Sequence, residues 1–197
     1  MRPQTLTDAT VWLDPPIPAD IDVIAEVCRD PSIGEWTSMP VPYRRADAEE
    51  FVDGFVVSGW AGQSPTWAVR PAPAAPLVGM VGLIESAEFS AEIGFWLASS
   101  HRGRGLMSTA VQQVCAFALR PAGPGVAAPA GMGLQRVEWR AFVGNHDSAA
   151  VARRTGFRFE GTLRSGAVQR GTLRDCWIAG RLHSDPPGPV ADWPSGI

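Results

Sequence analysis

Cysteine is scarce in this chain: three residues among 197, Cys28, Cys115 and Cys176, odd in number, far apart and each set among apolar neighbours. That pattern excludes a disulfide framework and leaves them as reduced packing residues. No cluster of Cys, His, Asp and Glu falls at ligand spacing, so no metal is expected. Long apolar runs are missing as well. No stretch of about eighteen apolar residues is present to cross a membrane. The opening MRPQTLTDATVWLDPP lacks the apolar centre of a secretory leader. The cytoplasm is therefore the expected location, with no membrane partner. Positive charge is not in excess either. A net charge of −3 speaks against generic nucleic-acid binding, which draws on a basic domain.

What is present reads as an ordinary globular core, with 45% apolar and 19% charged residues and one oddity, eight Trp against one Tyr. The length suits a single domain, placed at residues 1–183, followed by a Pro/Gly-rich tail, 184–197, in which Trp193 is the residue able to anchor. Apolar spacing predicts a short strand at 10–13, a helix from Asp20 to Cys28 and a second helix over 48–56. Between those helices, 32–45 shows no period and is expected to be a packed loop or a substrate wall. A hairpin with a proline-rich loop follows, 66–70 and 77–84 flanking 71–76. After the central segment described next, 120–133 is expected to be a flexible surface loop. Then come a strand at 134–143, a helix opened by Asn145 and closed at Gly156, and strands at 157–163 and 172–182. The fold class is α+β with a seven-stranded sheet and about four helices.

The chain is organised around Ala91–Leu119, a strand, a glycine-arginine turn and a helix in one run. The strand 91–97 ends in Ser99 and Ser100. His101-Arg102-Gly103-Arg104-Gly105 then supplies two glycines, which let main-chain amides turn toward a ligand, and two guanidinium groups that can pair with phosphate. Leu106, Ala110, Val111, Val114, Cys115 and Ala118 recur at helical spacing, which puts a helix N-terminus at the turn. Free amide hydrogens at the positive end of a helix dipole hold a diphosphate without a metal. A plain solvated loop is the alternative. A dinucleotide site is excluded because G-x-G-x-x-G is missing at 103–108.

At Arg102-Gly103-Arg104-Gly105-Leu106-Met107 the chain resembles the acyl-CoA loop of the GNAT N-acetyltransferase superfamily: Arg or Gln, two residues, Gly, one residue, Gly or Ala. Arg102 and Gly105 match, and Met107 stands at the last position. Downstream, Asn145, Ser148, Gly156-Phe157, Glu160-Gly161, Leu163-Arg164, Gly171 and Asp175 fall in the order and spacing of its RimJ/RimL-type subfamily. Ala91–Leu97 is similar to that subfamily's fourth strand, so the resemblance covers roughly residues 10–182. It implies a mixed, mostly antiparallel sheet splayed at strands 4 and 5, with acetyl-CoA in the wedge and its acetyl group passed to a primary amine by direct attack. The acceptor it implies is a protein N-terminus or a small molecule. The backbone of Phe95, Trp96 and Leu97 would meet the pantetheine arm, and the amides from Gly103 through Gly105 and Leu106 to Met107 the pyrophosphate, with Arg102 or Arg104 as charged contact. Asn145 would serve the pantetheine arm, the neighbouring strand or only the helix start. Self-association into a homodimer is left open.

Aminolysis of a thioester needs a neutral amine, a polarised carbonyl and a proton for the leaving thiolate. Many relatives place a Tyr for the last task where this chain has Ala152. Ser148 is the candidate donor, with a helix-start cap as its alternative. Glu92, sharing a strand face with Gly94 and Trp96, is the candidate base, or else an exposed strand carboxylate. Glu160 and Asp175 also match the subfamily, but bracing Arg164 and orienting a strand are their simpler roles, so neither is the first choice of base. Trp36, Met39, Tyr43 and Phe51 would wall the acceptor or simply fill the core. An α-amine, with a pKa near 7.7–8.0 against about 10.4 for Lys, is on the order of a tenth neutral at pH 7, so a sparsely furnished site suits a protein N-terminus. Two other readings stand beside this one: a non-catalytic acyl-CoA-binding sensor or interaction module, for which Ala152 argues, and transfer of another acyl group to a small-molecule amine.

Overall fold

The structure is a computed structural model and describes residues 1–123 and 130–197. Its strands are β1 (Leu6–Thr7), β2 (Trp12–Asp14), β3 (Thr66–Arg70), β4 (Gly79–Ala87), β5 (Ser90–Leu97), β6 (Arg136–Phe142), β7 (Arg158–Gln169) and β8 (Thr172–Leu182). They form one eight-stranded sheet in the order β1-β2-β3-β4-β5-β6-β8-β7. Every neighbouring pair is antiparallel except β5 and β6. A parallel pair needs a crossover, and here it is made by α5 (Leu106–Leu119). The remaining helices are α1 (Ile21–Val27), α2 (Pro31–Trp36), α3 (Arg45–Glu49), α4 (Val57–Ala61) and α6 (His146–Arg154). A π-helical stretch, Glu50–Val56, joins α3 to α4.

Period-two alternation along β4 and β5 assigns each side chain to a layer. Val81, Leu83, Ala91, Ile93 and Leu97 join a core beneath α5 and α6, with Val111, Val114 and Ala149. Met80 and Trp96 point the other way and pack with Ile24, Ile33 and Val52 of the first helices. Leu13, Leu83 and Ile93 are at most 1% exposed, and burying each such side chain contributes about 1.5–3 kcal/mol. Arg70 ties β2 and β3 to the turn before α1: its guanidinium donates to Asp14 at 2.7 Å and to both carboxylate oxygens of Asp20 at 3.0 and 2.7 Å, with side chains 7% and 8% exposed for Arg70 and Asp20.

Several expectations change. The sheet has an eighth strand, because the two-residue β1 pairs with β2 ahead of the first expected strand. The stretch expected to lack regular structure holds α2, capped by Asp30, whose carboxylate accepts from Ser32 N at 2.9 Å, with Pro31 in the first turn. The strand expected at 157–163 runs on to Gln169 by shifting register between Phe159 and Gly161 and again between Leu163 and Ala167. Of the loop expected at 120–133, residues 124–129 lie outside the described residues. Its far end is tied down: the amides of Met132, Gly133 and Leu134 donate to Phe117, Arg120 and Ala118, so carbonyls at the end of α5 gain partners. Trp193 packs near Trp139 and Phe159, with its indole N–H on Phe157 O at 2.9 Å.

Candidate active site

The pairing of β5 with β6 runs only from Ser90↔Arg136 to Ile93↔Trp139, yet both strands continue. Beyond Ile93 they open into a wedge. Main-chain direction alternates along a strand, and two bonds fix its phase here. Ala98 N donates to Val78 O, on the β4 side, and Phe89 O accepts from Gln135 N, on the β6 side. Phe95 and Leu97 therefore turn their N–H and C=O groups into the wedge, in position to pair with an extended amide-bearing chain as a strand would. Leu97 O already accepts from Arg102 Nε at 3.1 Å.

At the end of β5 a short turn leads to Gly103 and Gly105, with φ of +73° and +78°, a region other residues enter only with strain. Gly105 is the N-cap of α5 and no side chain caps that helix. The first amides of α5 thus point outward at the positive end of its dipole. Met107 sends its side chain into the core, 5% exposed, and keeps the mouth clear. A cavity of about 640 Å³ lies along this surface, lined by Phe95 to Leu97, by Arg102, Gly103 and Gly105 to Thr109, and by Asn145 and Ser148 of the α6 start. Arg104, expected beside Arg102 as a phosphate partner, is not among the lining residues and donates to Ser100 O at 3.1 Å. Arg102 lines the cavity but its Nη2 also donates to Ser32 Oγ at 2.9 Å, so it braces the start of α2. Arg154, from the last turn of α6, lines the same cavity. With Arg153 it makes that last turn basic.

A second cavity, about 530 Å³, opens on the sheet face that carries Glu92 and Gly94. Trp36, Thr37, Phe95, Trp96, Asn145 and Ser148 line both cavities and mark their junction. There the helix cap is Asn145, whose Oδ1 accepts from Ser148 N at 3.2 Å. Its amide nitrogen stays available to the wedge. Ser148 is not the cap. Its Oγ accepts from the indole N–H of Trp139 at 3.0 Å, which leaves the hydroxyl hydrogen to be donated elsewhere. A buried Trp needs an acceptor for its N–H, and that is the sequence signal by which Trp139 could have been linked to the helix that follows it.

Glu92 sits at the head of a charged row. Arg140 Nε lies 3.7 Å from Glu92 and 2.6 Å from Glu138, and Arg136 joins Glu138 to Glu160. Burial pushes the Glu92 carboxyl above the ordinary carboxylate range; Arg140 opposes the rise and Glu138 adds to it. Glu160 pairs with Arg136 through two bonds of 2.7 and 2.6 Å, so it braces β6 and not Arg164. Asp175 accepts from Ser165 N at 2.7 Å and pins the irregular part of β7. Trp36, Met39 and Phe51 line the second cavity. Tyr43 lines neither: it is 7% exposed and packed in the core with Cys28 and Ala48, since α1 and α3 leave room for its ring. The far wall is held shut by the tip of the β7–β8 hairpin, where Gln169 donates to Glu35 O and Thr37 O at 2.8 and 2.9 Å and Arg170 to Met39 O at 3.1 Å.

An open wedge in a mixed sheet, an uncapped glycine turn at a helix start and a second cavity meeting the first at the wedge define an acyl-CoA-dependent transferase fold. The chain belongs to the acetyltransferase (GNAT) domain family, whose model matches residues 10–158. It is 33% identical over 101 residues to "Putative ribosomal N-acetyltransferase YdaF" of Bacillus subtilis, a match spanning about half of each, 50% of this chain and 50% of that relative. Among solved structures it is similar to RimL, a ribosomal L7/L12 alpha-N-protein acetyltransferase in complex with coenzyme A, with a TM-score of 0.77 at 20% identity over 91% of this chain and 98% of that one. Mycobacterium smegmatis RimJ in complex with CoA-disulfide gives a TM-score of 0.75 at 21% identity, over 92% and 90% of the two chains. Among the described residues no helix is long and apolar enough to cross a membrane, and no group of His, Cys, Asp and Glu could hold a metal ion.

Proposed function

We propose that this protein is a cytoplasmic N-acetyltransferase that moves acetyl from acetyl-CoA to a protein N-terminal α-amine. The observation that carries the reading is the junction: Ser148 and Asn145 line both the cofactor-sized cavity and the one that holds Glu92. Acetyl-CoA supplies the activated thioester. Phe95 and Leu97 bind the pantetheine arm through their main chain, with Asn145 Nδ2 as a third contact, and the α5 amides receive the pyrophosphate. Arg154 adds a cation on the same wall.

Glu92, whose carboxyl burial holds above the ordinary carboxylate range, takes a proton from the ammonium group in its ionised form and later yields it to solvent. The neutral amine attacks through the junction while a wedge-facing N–H such as that of Phe95 donates to the thioester oxygen, where negative charge grows. The C–S bond breaks, and the Ser148 hydroxyl, its oxygen already engaged by Trp139, donates toward the departing sulfur. The second nitrogen proton ends on the thiol.

The test is single-turnover transfer from acetyl-CoA to a peptide with an unblocked N-terminus, read by mass. Transfer to the α-amine, lost more strongly in Glu92→Gln than acetyl-CoA affinity is, supports the reading. Tight acetyl-CoA binding with no transfer to any of a broad amine panel would instead support a sensor module.

A further inference from the structure

The second cavity carries chemistry that an amine site does not require. Phe51 and Phe55 stack at 5.5 Å with planes 14° apart, both presented by the π-helical stretch between α3 and α4, and Phe55 remains 42% exposed. With Trp36, Met80, Trp96 and Val168 they give the cavity a predominantly apolar wall. A π-helical insertion changes the angle at which side chains leave a helix and recurs at functional sites. Here it sets two aromatic rings over the sheet.

The floor under those rings is cut away. Thr66, Gly82 and Gly94 are successive cross-strand partners on β3, β4 and β5. The space above Gly82 is taken by Thr66, but a Cβ added at Gly94 would meet nothing within 4 Å. Since Gly94 has an ordinary φ, its lack of a side chain leaves volume and serves no turn. The hollow is two residues along the strand from Glu92 and on the same face.

Charge settles what can stand beside the amine. Among the described residues lining this cavity, Glu92 is the one carboxylate and Arg140 the one cation. Arg140 is held at 2.6 Å by Glu138 and 3.7 Å by Glu92, so no unmatched cation is offered to an α-carboxylate. A free amino acid would bring its carboxylate next to Glu92.

From the apolar wall, the hollow over Gly94 and this charge pattern, we infer that the acceptor is an α-amine whose own residue bears a large apolar side chain and whose carboxyl is blocked as an amide: the first residue of a protein chain beginning with Met, Leu or Phe. The inference rests on the proposed N-terminal acetylation and names its specificity.

The probes are tetrapeptide amides differing only in the first residue (Phe, Leu, Met, Ser or Gly), with free leucine, leucinamide and phenethylamine beside them. The expected kcat/KM is about 10- to 100-fold higher for Phe, Leu and Met than for Ser or Gly, the range a hydrophobic pocket discriminates. Leucinamide should exceed free leucine by at least about tenfold, a difference of one 1.4 kcal/mol step. Gly94→Leu should reverse the ranking by filling the hollow, and Phe55→Ser, at a half-exposed position, should narrow it without a change in the core. Equal or better transfer to the Ser and Gly peptides, or free leucine matching leucinamide, overturns the inference while leaving N-terminal acetylation in place. Transfer to phenethylamine and leucinamide but to no peptide overturns the protein N-terminus and keeps the apolar pocket. No transfer to any probe overturns both.

Discussion

Replacing Ser148 by Ala removes two things at once, and the structure separates them. The first is the hydroxyl hydrogen at the junction of the two cavities. A donor aimed at developing charge contributes on the order of 10²–10³ in rate where it has been removed from enzymes, so single-turnover acetyl transfer should fall by up to that factor. The second is the acceptor for Trp139, whose indole N–H lies 3.0 Å from Ser148 Oγ and whose side chain is 1% exposed. Leaving a buried N–H without a partner costs about 1–3 kcal/mol. For a chain of this size each kcal/mol lowers the melting temperature by about 2–4 °C, giving a drop of about 2–12 °C. Stability loss alone therefore does not distinguish a structural hydroxyl from a catalytic one. The double variant with Trp139→Phe does, since removing both polar partners should recover part of the stability lost by Ser148→Ala relative to the sum of the single changes, with a coupling of about 1–3 kcal/mol. The transfer rate should stay low. Acetyl-CoA affinity, measured by calorimetry on the same proteins, should be nearly unchanged. A normal single-turnover rate per folded molecule in Ser148→Ala, alongside a lowered melting temperature, would refute the donor role.

Glu92 should govern the acidic limb of the pH–rate profile. Its carboxyl is raised by burial, so activity should climb with pH at values above those of an ordinary glutamate, and Glu92→Gln should abolish that limb. Arg140→Met should move the limb to still higher pH, because the opposing cation is lost while Glu138 remains. A carboxyl raised in the fold favours folding most below its unfolded pKa and loses that contribution as pH rises through its folded pKa, so Glu92→Gln should flatten this part of the melting curve's pH dependence. Gly105→Val should weaken acetyl-CoA binding, since φ of +78° costs a β-branched residue at least about 1–2 kcal/mol, and Arg102→Ala or Arg154→Ala should weaken it with a reduced salt dependence in titration calorimetry. Arg70→Met should cost about 3–5 kcal/mol by stranding Asp20 in the interior, read as a large fall in the denaturant midpoint.

The elements legible in the sequence were those whose pattern is long or chemically singular. The apolar stripe of α5 spans four turns, and paired glycines before a helix have few uses, so the anion turn stood out. The helix α2 did not, because six residues with Ile33 and Trp36 as its apolar positions are too short to show a period. The two residues of β1 carry no alternation at all. Partnerships across the fold were out of reach: Glu160 lies beside Arg164 in the chain, but the sheet order β6-β8-β7 and the small Gly180 between them let Arg136 reach it. Tyr43 had the right chemistry for a wall and the wrong direction, which only the packing of α1 against α3 decides.

The short helix α2 is bonded at both ends to different machinery. Ser32, in its first turn, meets Arg102 of the glycine turn before α5, and the carbonyls at its end meet Gln169 of the β7–β8 hairpin. Six residues at 1.5 Å each make it a strut of about 9 Å, and Trp36, at its last position, stands at the junction. In the proposed reaction, the length of this strut therefore gauges the gap between donor and acceptor. One residue added within it would turn Trp36 by about 100° and push the two anchor points apart by about 1.5 Å, spoiling the meeting of the two cavities without touching a residue that performs chemistry.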